Sequence, residues 1–584
     1  MQFSRFFIAA FLLAQIPSYF LLAQSLPIAI DGQFDDWTAA AINLEDTGGA
    51  GSGLDLLRMS VANDEAYLFI RFEIDQEVVL TDGNDLTLYI DGDQNQLTGK
   101  SVNGIGAEIE LQLGNRDGNF YKGSSIWYFD FGDIGFASLP TFSATKFELA
   151  IRRDAEPDGN NPIFTGNKCR IYLQNGAGDK MPNAGQTFSY TFNNDPTPVY
   201  QPIDLQKNAP SHLRLMTWNT LADGLLDVVR KPSFERVLKA TQPDIITFNE
   251  CWDMTSAQAR TFMNAAIPLG NPQGWYTAKL IDGNITASRY PILQNWSVYN
   301  GHRLTASLVD LPDGIFEKDI LVINGHLRCC VANSERQLEA DAFASFILDA
   351  KTPGGEIDLP ENTPFVLSGD MNLVGWQQQY TTLTTGDIVN TNVFGAGGSL
   401  DWDDSTLLDV LALQTDQRMA YTWNEAGSQY PPSRLDFHIC SNSVLEVKKA
   451  YTLQTEVMSQ ARLTSFGLLN TDNSTASDHL PKVTDFVVKP LTGSYELVGA
   501  GLEILVSPNP ASGNFAEFLA SKTLSNEAVF YLFDFSGREM LAEEINSGQN
   551  KWQVPVNRFP SGMYYWKLEV AGRFVNVGKL LIQR

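Results

Sequence analysis

Cysteine and histidine are scarce in this sequence, with 5 of each among 584 residues. No Cys-x-x-Cys pair occurs, so a zinc ribbon is not supported. The odd number of cysteines leaves at least one thiol unpaired. The adjacent Cys329 and Cys330 either form a strained vicinal disulfide or have other partners, and we expect most of the cysteines to be small buried hydrophobic residues.

Positive charge is also limited. The 41 lysines and arginines are outnumbered by 68 acidic residues, which gives a net charge of -27 at pH 7, and no run of basic residues occurs. An acidic protein is repelled by phosphate backbones unless its basic residues are concentrated in one place. We therefore expect no stable nucleic-acid partner, although divalent cations could offset the repulsion inside a cleft.

Long apolar runs are confined to the N-terminus. Residues 6–22 are almost continuously apolar, follow Arg5 and precede the small-residue stretch 23–25. This run is at the lower length limit for a membrane span, and no basic cluster follows it. The pattern predicts a cleaved export signal over residues 1–24 rather than a membrane anchor, and therefore a secreted or cell-surface protein.

The length predicts a multidomain protein, because single hydrophobic cores stop growing at about 250–300 residues. Residues 25–194 contain short alternating stretches, such as 66–72 and 86–90, between clusters of Asp, Gly and Asn. This rhythm predicts an N-terminal β-sandwich. The three prolines at the start of residues 195–210 oppose regular structure and predict a linker.

Residues 211–489 alternate between strand and helix patterns, which predicts an α/β domain. Residues 213–218 and 244–248 predict strands, and residues 234–240 and 334–350 predict helices, the second with Ser334 as its N-cap. We expect a second linker over residues 490–502. The short strands and turns of residues 503–584 predict a small C-terminal β-sandwich.

Polar residues gather at the predicted strand ends of residues 211–489. Phosphate-ester hydrolysis needs oxygen ligands for a divalent metal, a carboxylate that orients water, and a donor for developing negative charge. These residue types occur in order in seven fragments: Thr217-Trp-Asn219, Phe248-Asn-Glu250, Ser288-Arg-Tyr-Pro-Ile292, Asn324-Gly-His326, Gly369-Asp-Met-Asn372, Arg434-Leu-Asp436 and Ser477-Asp-His479-Leu-Pro481. Each fragment alone is weak, because Gly, Asp and Asn also favour ordinary turns.

Taken together, the seven fragments resemble the DNase-I-like endonuclease/exonuclease/phosphatase superfamily across about residues 213–489. The resemblance implies a four-layer α/β sandwich, in which two β-sheets are flanked by helices. It also implies a phosphoester substrate and a divalent metal cofactor, Mg²⁺ or Mn²⁺, with Ca²⁺ as an alternative.

The resemblance assigns roles residue by residue. It implies Glu250 as the principal metal ligand, with Asn219 and Asp478 assisting. Asp370 is expected to orient and deprotonate the attacking water, with Asn372 holding that water or the phosphoryl oxygens. His479 is expected to stabilise charge on the scissile phosphate.

His326 and Asp436 are expected to form a second histidine–carboxylate pair. Whether His326 donates to the phosphate or to the leaving group stays open. Arg328 and Arg289 are weaker substrate-binding candidates, since each is also explained as the partner of a surface carboxylate. Some relatives have an acidic residue where this chain has Leu221, which favours a single metal at Glu250.

The N-terminal region carries two short motifs, residues 28–37 and 89–94. They resemble family-9 carbohydrate-binding and DOMON-like sandwiches, which implies a glycan or surface partner as an alternative to a purely structural role. Asp91, Asp93 and Asn95 alternate in a way that could supply oxygens to calcium, but a polar turn between strands is the favoured interpretation. Trp37 is expected to be a core residue.

The C-terminal region carries residues 504–510, 531–538 and 559–565 in an order that resembles the sorting domain of type IX secretion cargo. This resemblance implies the outer-membrane secretion machinery as a partner. The whole sequence therefore predicts a secreted, metal-dependent phosphoester hydrolase, whether phosphodiesterase, nuclease or phosphatase. The alternative is a non-enzymatic glycan-binding or surface-binding protein with a catalytically silent central scaffold.

Overall fold

The computed structural model describes residues 27–37, 42–46, 49, 53–176, 178–313, 315–489, 504–524, 527–534, 538–570 and 573–583. The predicted signal and the predicted linker over residues 490–502 lie outside the described residues. The chain divides into two compact units, Met1–Lys489 and Pro490–Arg584. No helix among the described residues combines the length and apolarity needed to span a membrane.

The N-terminal part of the first unit consists of β-strands. They are β1 (Ile42–Glu45), β2 (Leu56–Asn63), β3 (Tyr67–Val78), β4 (Leu86–Asp91), β5 (Lys100–Val102), β6 (Ile105–Ala107), β7 (Ile109–Gln112), β8 (Asp117–Lys122), β9 (Ser125–Phe129), β10 (Ala137–Leu139), β11 (Ala144–Arg152), β12 (Lys168–Asn175), β13 (Lys180–Met181) and β14 (Phe188–Thr191). Two single 3₁₀ turns lie at Leu113–Asn115 and Phe131–Ile134.

These strands form two main antiparallel sheets that share one apolar core. The first has the order β1-β2-β3-β11-β10, and the second has the order β13-β12-β4-β7-β8-β9 with β14 paired to β12. Alternate residues of both sheets, such as Ile70, Leu88 and Leu149, are fully or almost fully buried in that core. This period-two burial is the pattern of strands that bury one face in a core.

The central part mixes strands and helices. Its strands are β15 (Leu213–Asn219), β16 (Ile245–Cys251), β17 (Tyr276–Ala278), β18 (Gly283–Ser288), β19 (Ile292–Ser297), β20 (Leu304–Val309), β21 (Ile320–His326), β22 (Phe365–Asp370), β23 (Leu408–Asp409), β24 (Asp436–Cys440), β25 (Leu445–Thr452) and β26 (Lys482–Val488). Its helices are α1 (Lys231–Thr241), α2 (Ser256–Ala266), α3 (Asn333–Lys351), α4 (Gln377–Thr385), α5 (Thr391–Phe394), α6 (Gln460–Phe466) and α7 (Asp472–Ala476), with a 3₁₀ turn at Thr455–Val457.

Two six-stranded sheets organise this central part, with orders β17-β18-β16-β15-β26-β25 and β19-β20-β21-β22-β24-β23. Leu215 and Phe486 from the first sheet and Val322 and Val366 from the second pack into one core. Helices α1 and α2 pack on the first sheet, and α3 and α4 on the second. A multidomain, mostly β-sheet chain with a mixed central domain is thus confirmed.

One helix boundary differs from the sequence prediction. Helix α3 begins at Asn333, and its N-cap Ala332 makes no side-chain cap bond. Ser334 is therefore inside the helix, and its predicted capping role is wrong. The carboxamide of Asn333 instead accepts a hydrogen bond of 2.7 Å from the buried Arg336, which ties the first turn together.

The predicted linker over residues 195–210 contains no helix or strand, and it is anchored to the central domain. The backbone of Ile203 donates to Thr415 O at 2.8 Å, and the hydroxyl of Tyr200 donates to Gln414 O at 2.9 Å. The described residues of the first unit consequently form one compact body.

The second unit is a small all-β structure. Its strands are β27 (Ile504–Ser507), β28 (Phe515–Ala520), β29 (Ala528–Phe533), β30 (Glu539–Ile545), β31 (Lys551–Pro555), β32 (Gly562–Val570) and β33 (Arg573–Ile582). They form the sheets β27-β28-β31 and β30-β29-β32-β33. Aromatic residues, including Phe518, Phe530 and Trp566, fill the core between them.

Candidate active site

The polar fragments meet because their strands end at the same edge of the paired sheets. Strand β15 runs parallel to β16, and β21 runs parallel to β22, so both pairs deliver their last residues to one edge. Strand β24 is antiparallel to β22 and therefore begins where β22 ends, with Asp436 opposite Asp370. A cavity of about 370 Å³ opens there. Its lining includes Glu250, His326, Asp370, Asn372, Asp478 and His479.

Asp370 is at the centre of the arrangement and is only 2% exposed. Its Oδ2 accepts hydrogen bonds of 3.1 Å from the amide groups of both Asn219 and Asn372. The Nε2 atoms of His326 and His479 lie 3.5 and 3.7 Å from the same oxygen. Burial raises the pKa of the Asp370 carboxyl, while the charge of His479 opposes that rise.

His479 is paired with Asp436, whose Oδ2 lies 2.8 Å from His479 Nδ1. Burial lowers the pKa of His479, but the carboxylates of Asp436 and Asp370 outweigh it and raise the pKa to about 10. The imidazole therefore carries a positive charge at neutral pH. Because Asp436 holds Nδ1, the Nε2 proton of His479 points toward Asp370 and the cavity.

His326 is not the partner of Asp436, so that prediction is wrong. The parallel register of β21 and β22 places His326 beside Asp370 instead. Burial, with Arg303 and His479 nearby, lowers the pKa of His326 well below its usual value, so its imidazole is neutral. The two histidines on this cavity thus differ in charge.

Glu250 faces the cavity from a distortion of β16. Its φ of 59° is in the left-handed region, and the β16–β18 register shifts between Phe248 and Cys251. Its Oε1 accepts from Asn219 at 3.1 Å and its Oε2 from the backbone of Ala222 at 2.8 Å. Both carboxylate oxygens are thereby oriented while the side chain stays half-buried.

The donor set fits a magnesium-type ion. Such an ion binds through one or two carboxylates and keeps several waters or substrate phosphate oxygens. In the described part of the central domain, no three His, Cys, Asp or Glu ligand atoms lie within 4.8 Å of one another, so a closed protein cage is absent. Glu250 provides the accessible carboxylate, and the fully buried Asn219 orients it.

Two family models match the chain. Residues 216–479 match the Endonuclease/Exonuclease/phosphatase family, and residues 505–583 match the Secretion system C-terminal sorting domain. The first model thus finds an endonuclease/exonuclease/phosphatase domain in the centre of the chain. The C-terminal sorting domain of the chain indicates export to the cell surface or the medium through the type IX machinery.

Solved structures resemble the chain at low identity. An endonuclease/exonuclease/phosphatase from Beutenbergia cavernae is 15% identical with a TM-score of 0.30, and the match covers 63% of this chain and 99% of that one. ANGEL2, a 2',3'-cyclic phosphatase, is 15% identical with a TM-score of 0.34 and coverages of 48% and 96%. Sphingomyelinase C from Streptomyces griseocarneus is 15% identical with a TM-score of 0.28 and coverages of 47% and 99%. No curated protein matches the chain.

Asp478 also lines the cavity. Its Oδ2 accepts a hydrogen bond of 2.9 Å from the indole of Trp423, and Ser477 donates to its Oδ1 at 3.3 Å. Asp478 therefore adds a fixed negative charge to the cavity. Asp223 lies two residues after Leu221, the position at which some relatives have an acidic residue. Its carboxylate already accepts hydrogen bonds from the backbone of Asp253 and Met254.

The two arginine candidates lie in different places. Arg328 is exposed two residues after His326, and its charge contributes to the lowered pKa of that histidine. Arg289 lies away from the cavity, where its Nε donates to Pro243 O at 2.8 Å and is 3.5 Å from Asp244. Because β18 is antiparallel to β16, residues that follow β18 lie at the far end of the sheet. The structure thus does not bring Arg289 to the site.

Sequence reasoning missed residues that support or line the site. Asn249 accepts from the backbone of Asp370 at 3.1 Å and donates to Asn324 at 2.9 Å, which joins the two sheets behind the polar cluster around Asp370. It lies in the Phe248-Asn-Glu fragment, so the motif itself was a signal. Arg303 and Trp252, whose guanidinium and ring lie 5.2 Å apart on the cavity wall, carry no such signal.

The N-terminal sandwich forms one side of the same cavity. Residues 79–82, Ser138, Pro140 and Thr141 contribute to the lining. Thr141 donates to Leu373 O at 2.9 Å, and Ser143 donates from its backbone to Gly375 O at 2.7 Å. The guanidinium of Arg116 lies 4.3 Å from the ring centroid of Tyr430. This cavity is therefore bounded by residues of both the N-terminal and the central parts of the first unit.

Proposed function

We propose that the central domain hydrolyses phosphoesters with a divalent cation, Mg²⁺ or Mn²⁺, with Ca²⁺ as an alternative. The environment of Asp370 is the observation that supports this proposal most directly. Its buried carboxylate is held by two amides at 3.1 Å, with two imidazoles within 3.7 Å and Glu250 on the same cavity. A carboxylate fixed in this way, beside donors of different charge, suits proton transfer and charge stabilisation.

Asp370 orients a water molecule for in-line attack on phosphorus and accepts its proton. Asn219 and Asn372 keep the carboxylate from rotating, because each donates to the same oxygen. A cation held at Glu250 would neutralise charge on the phosphate oxygens. Asn219 also orients Glu250, so it couples the position of the ion to that of the base.

His479 donates from Nε2 to a non-bridging phosphoryl oxygen and stabilises its growing negative charge, since its pKa of about 10 keeps it protonated. The neutral His326 contacts the scissile phosphate or the leaving oxygen from the other side of Asp370. The exposed Arg328 adds positive charge for the rest of the substrate.

The second domain on the cavity favours a small phosphoester over a long duplex. Val79, Leu80, Pro140 and Thr141 occupy one side of a cleft of about 370 Å³. The net charge of -27 also disfavours polyanions. We propose further that residues 1–24 are removed on export, and that residues 25–194 act mainly as a structural and cavity-forming module, with glycan binding as the alternative.

The test is metal-dependent turnover. EDTA-treated full-length protein is assayed on bis-p-nitrophenyl phosphate with Mg²⁺, Mn²⁺ or Ca²⁺, alongside Asp370→Asn, Glu250→Gln and the surface control Glu156→Gln. We expect Asp370→Asn to lose turnover at all metal concentrations, and Glu250→Gln to need at least about 10-fold more metal. The control Glu156→Gln should keep the turnover and the metal requirement of the wild type.

The alternative is a non-enzymatic surface-binding protein. Absence of metal-dependent turnover across nucleotide, lipid and sugar phosphoesters would contradict the hydrolase proposal and favour this alternative. Binding of soluble glycans by the full-length protein, measured by calorimetry, would then identify the role of residues 25–194.

A further inference from the structure

A second acidic cluster lies in the N-terminal sandwich, separate from the residues that line the cavity. Asp91 ends β4, Asp93 lies in the loop that follows, and Glu108 immediately precedes β7, which is paired with β4. One ligand oxygen from each of these three carboxylates lies within 4.8 Å of the others. Asp91 is 0% and Glu108 is 2% exposed, so two of the three charges are inside the protein.

Two of the buried oxygens have no protein partner. Asp91 Oδ1 and Glu108 Oε1 are buried without a hydrogen bond among the described residues. The other oxygen of each is held: Arg170 lies 3.0 Å from Asp91 Oδ2, and the backbone of Gly92 donates to Glu108 Oε2 at 2.8 Å. A buried carboxylate oxygen without a donor is unfavourable, and here two occur in one cluster.

The charges of the cluster do not balance without a ligand. Three carboxylates meet one guanidinium, that of Arg170, and the nearby Lys100 is paired with Glu110 instead. When all three carboxylates are ionised, negative charge in the cluster therefore exceeds positive charge. Buried charges are kept in proteins when they are paired or coordinate a metal, and a divalent cation supplies the missing charge.

The loop that carries Asp93 is already fixed in shape. Thr98 donates from its hydroxyl to Asp93 at 2.9 Å, and the backbone of Asn95 donates to Asp93 Oδ1 at 2.8 Å. At Gly106 in β6, a Cβ would come within 2.1 Å of Thr98 O, so only glycine lets the loop pack this closely. A ligand would therefore meet a preformed set of oxygens.

We propose that Asp91, Asp93 and Glu108 bind a calcium ion that stabilises the N-terminal sandwich. All three ligands are carboxylates, which suits a hard cation rather than zinc. Their ligand oxygens lie within 4.8 Å of one another, so a single ion can contact all three. Calcium accepts several carboxylates in a flexible geometry, whereas magnesium usually binds through one or two carboxylates and keeps several waters.

The proposed ligands differ from the set Asp91, Asp93 and Asn95 that alternates in the sequence. The Oδ1 of Asn95 accepts a hydrogen bond of 3.1 Å from the backbone of Leu97, and the proposed ligand set uses Glu108 in its place. Glu108, which is distant in sequence, takes its place across the β4–β7 pair. The ion thus joins the loop after β4 to the start of β7.

The test measures calcium binding in a background whose proposed catalytic metal site is disabled. Full-length Glu250→Gln, treated with EDTA, is titrated with CaCl₂ by calorimetry and by thermal unfolding, with MgCl₂ as the competing ion. The same measurements are made with Asp93→Asn added, chosen because Asp93 is half-buried and its replacement is compatible with folding. Glu108→Gln is the second variant, and Asp35→Asn is the surface control.

We expect one calcium ion to bind Glu250→Gln and the control and to raise the unfolding temperature by several degrees. Adding Asp93→Asn or Glu108→Gln should weaken calcium binding at least tenfold and reduce the shift. Magnesium should produce a smaller shift at equal concentration. The proposal is overturned if calcium does not bind Glu250→Gln, or if both carboxamide variants, folded as judged by circular dichroism, bind calcium as the control does.

Discussion

Asp370 and Asp436 are both buried carboxylates, but they have different neighbours and hence different roles. Asp370 faces the cavity and is contacted by two amides and two imidazoles. Asp436 is fully buried behind His479, and its Oδ1 has no hydrogen bond among the described residues. In the proposed mechanism, Asp370 therefore acts on substrate, and Asp436 acts through His479 as a positioning residue.

The Asp436→Asn variant tests this difference. Loss of its charge should lower the pKa of His479, because Asp436 is the largest of the influences that raise it. The imidazole would then lose its proton at a lower pH, so the alkaline limb of the kcat profile should move down from about pH 10. We expect kcat at neutral pH to fall about 10–100-fold, as for other residues that orient a catalytic group.

The matched control for that variant is Asp403→Asn, an exposed aspartate of the same domain. It should keep both the kcat and the pH profile of the wild type. An alkaline limb that stays in place in Asp436→Asn, despite a lower kcat, would show that Asp436 acts on the structure and not on the charge of His479.

At the level of secondary structure, the sequence predicts several strands and the polar residues at their ends. It does not predict which of these polar side chains contact one another. The fragment Gly369-Asp-Met-Asn372 follows a short apolar run, so the position of Asp370 at a strand end could be read from the sequence. Which histidine meets Asp436 depends on the β22–β24 register and on where the chain returns before β26. Such registers are set by long-range packing, which local patterns do not encode.

Glycine at position 369 is required by the packing of β21 against β22. Its φ is 149°, and a Cβ there would come within 1.9 Å of Gly325 O on the neighbouring strand. Gly369→Ala should therefore push apart the strand ends that carry His326 and Asp370. We expect a destabilisation of about 1–3 kcal/mol, measured by urea unfolding, and a loss of turnover larger than that of stability.

The control for Gly369→Ala is Gly166→Ala, where a Cβ would meet nothing within 4 Å. Its urea midpoint and its turnover should match those of the wild type. Equal stability of the two variants would mean that the strands accommodate a Cβ at position 369 without strain. The close approach of Gly325 O would then not be the reason why this position requires glycine.

For the molecule as a whole, the first unit is held together across its two domains. The backbone of Ile30 donates to Arg418 O, and Ala420 donates to Ile30 O, both at 2.9 Å. The carboxylate of Glu148 fixes this segment, because it accepts from the backbone of Asp31 and Gly32 and from the indole of Trp37. Trp37 is buried as expected, so the opening motif joins two domains rather than presenting an aromatic platform.

Glu148→Gln tests that connection. The carboxamide of glutamine keeps one accepting oxygen. Its NH₂ group, in the place of the second oxygen, would face an N–H donor. We expect a loss of about 1–3 kcal/mol in the free energy of unfolding, in a transition that reports both domains of the first unit together. Glu156→Gln, exposed in the same sandwich, should leave the unfolding curve unchanged. Separate transitions for the two domains in the wild type would contradict this coupling.

The N-terminal domain should also influence the substrate directly, through charge. Asp82 is exposed and lines the cavity from that domain, in a site that already holds the acidic Glu250, Asp370 and Asp478. Replacing it by lysine, Asp82→Lys, should lower KM for an anionic phosphodiester about two- to fivefold with little change in kcat, because the added attraction acts on binding and not on the chemical step.

Salt distinguishes this electrostatic effect from a change in shape. The Debye length falls from about 10 Å at 0.1 M to about 3 Å at 1 M, so the difference in KM between Asp82→Lys and wild type should shrink as ionic strength rises. Asp35→Lys adds the same charge to the same domain, but it lies outside the cavity lining and should leave KM within error of wild type. Equal effects of the two variants would mean that net charge, and not the position of this domain at the cleft, governs substrate capture.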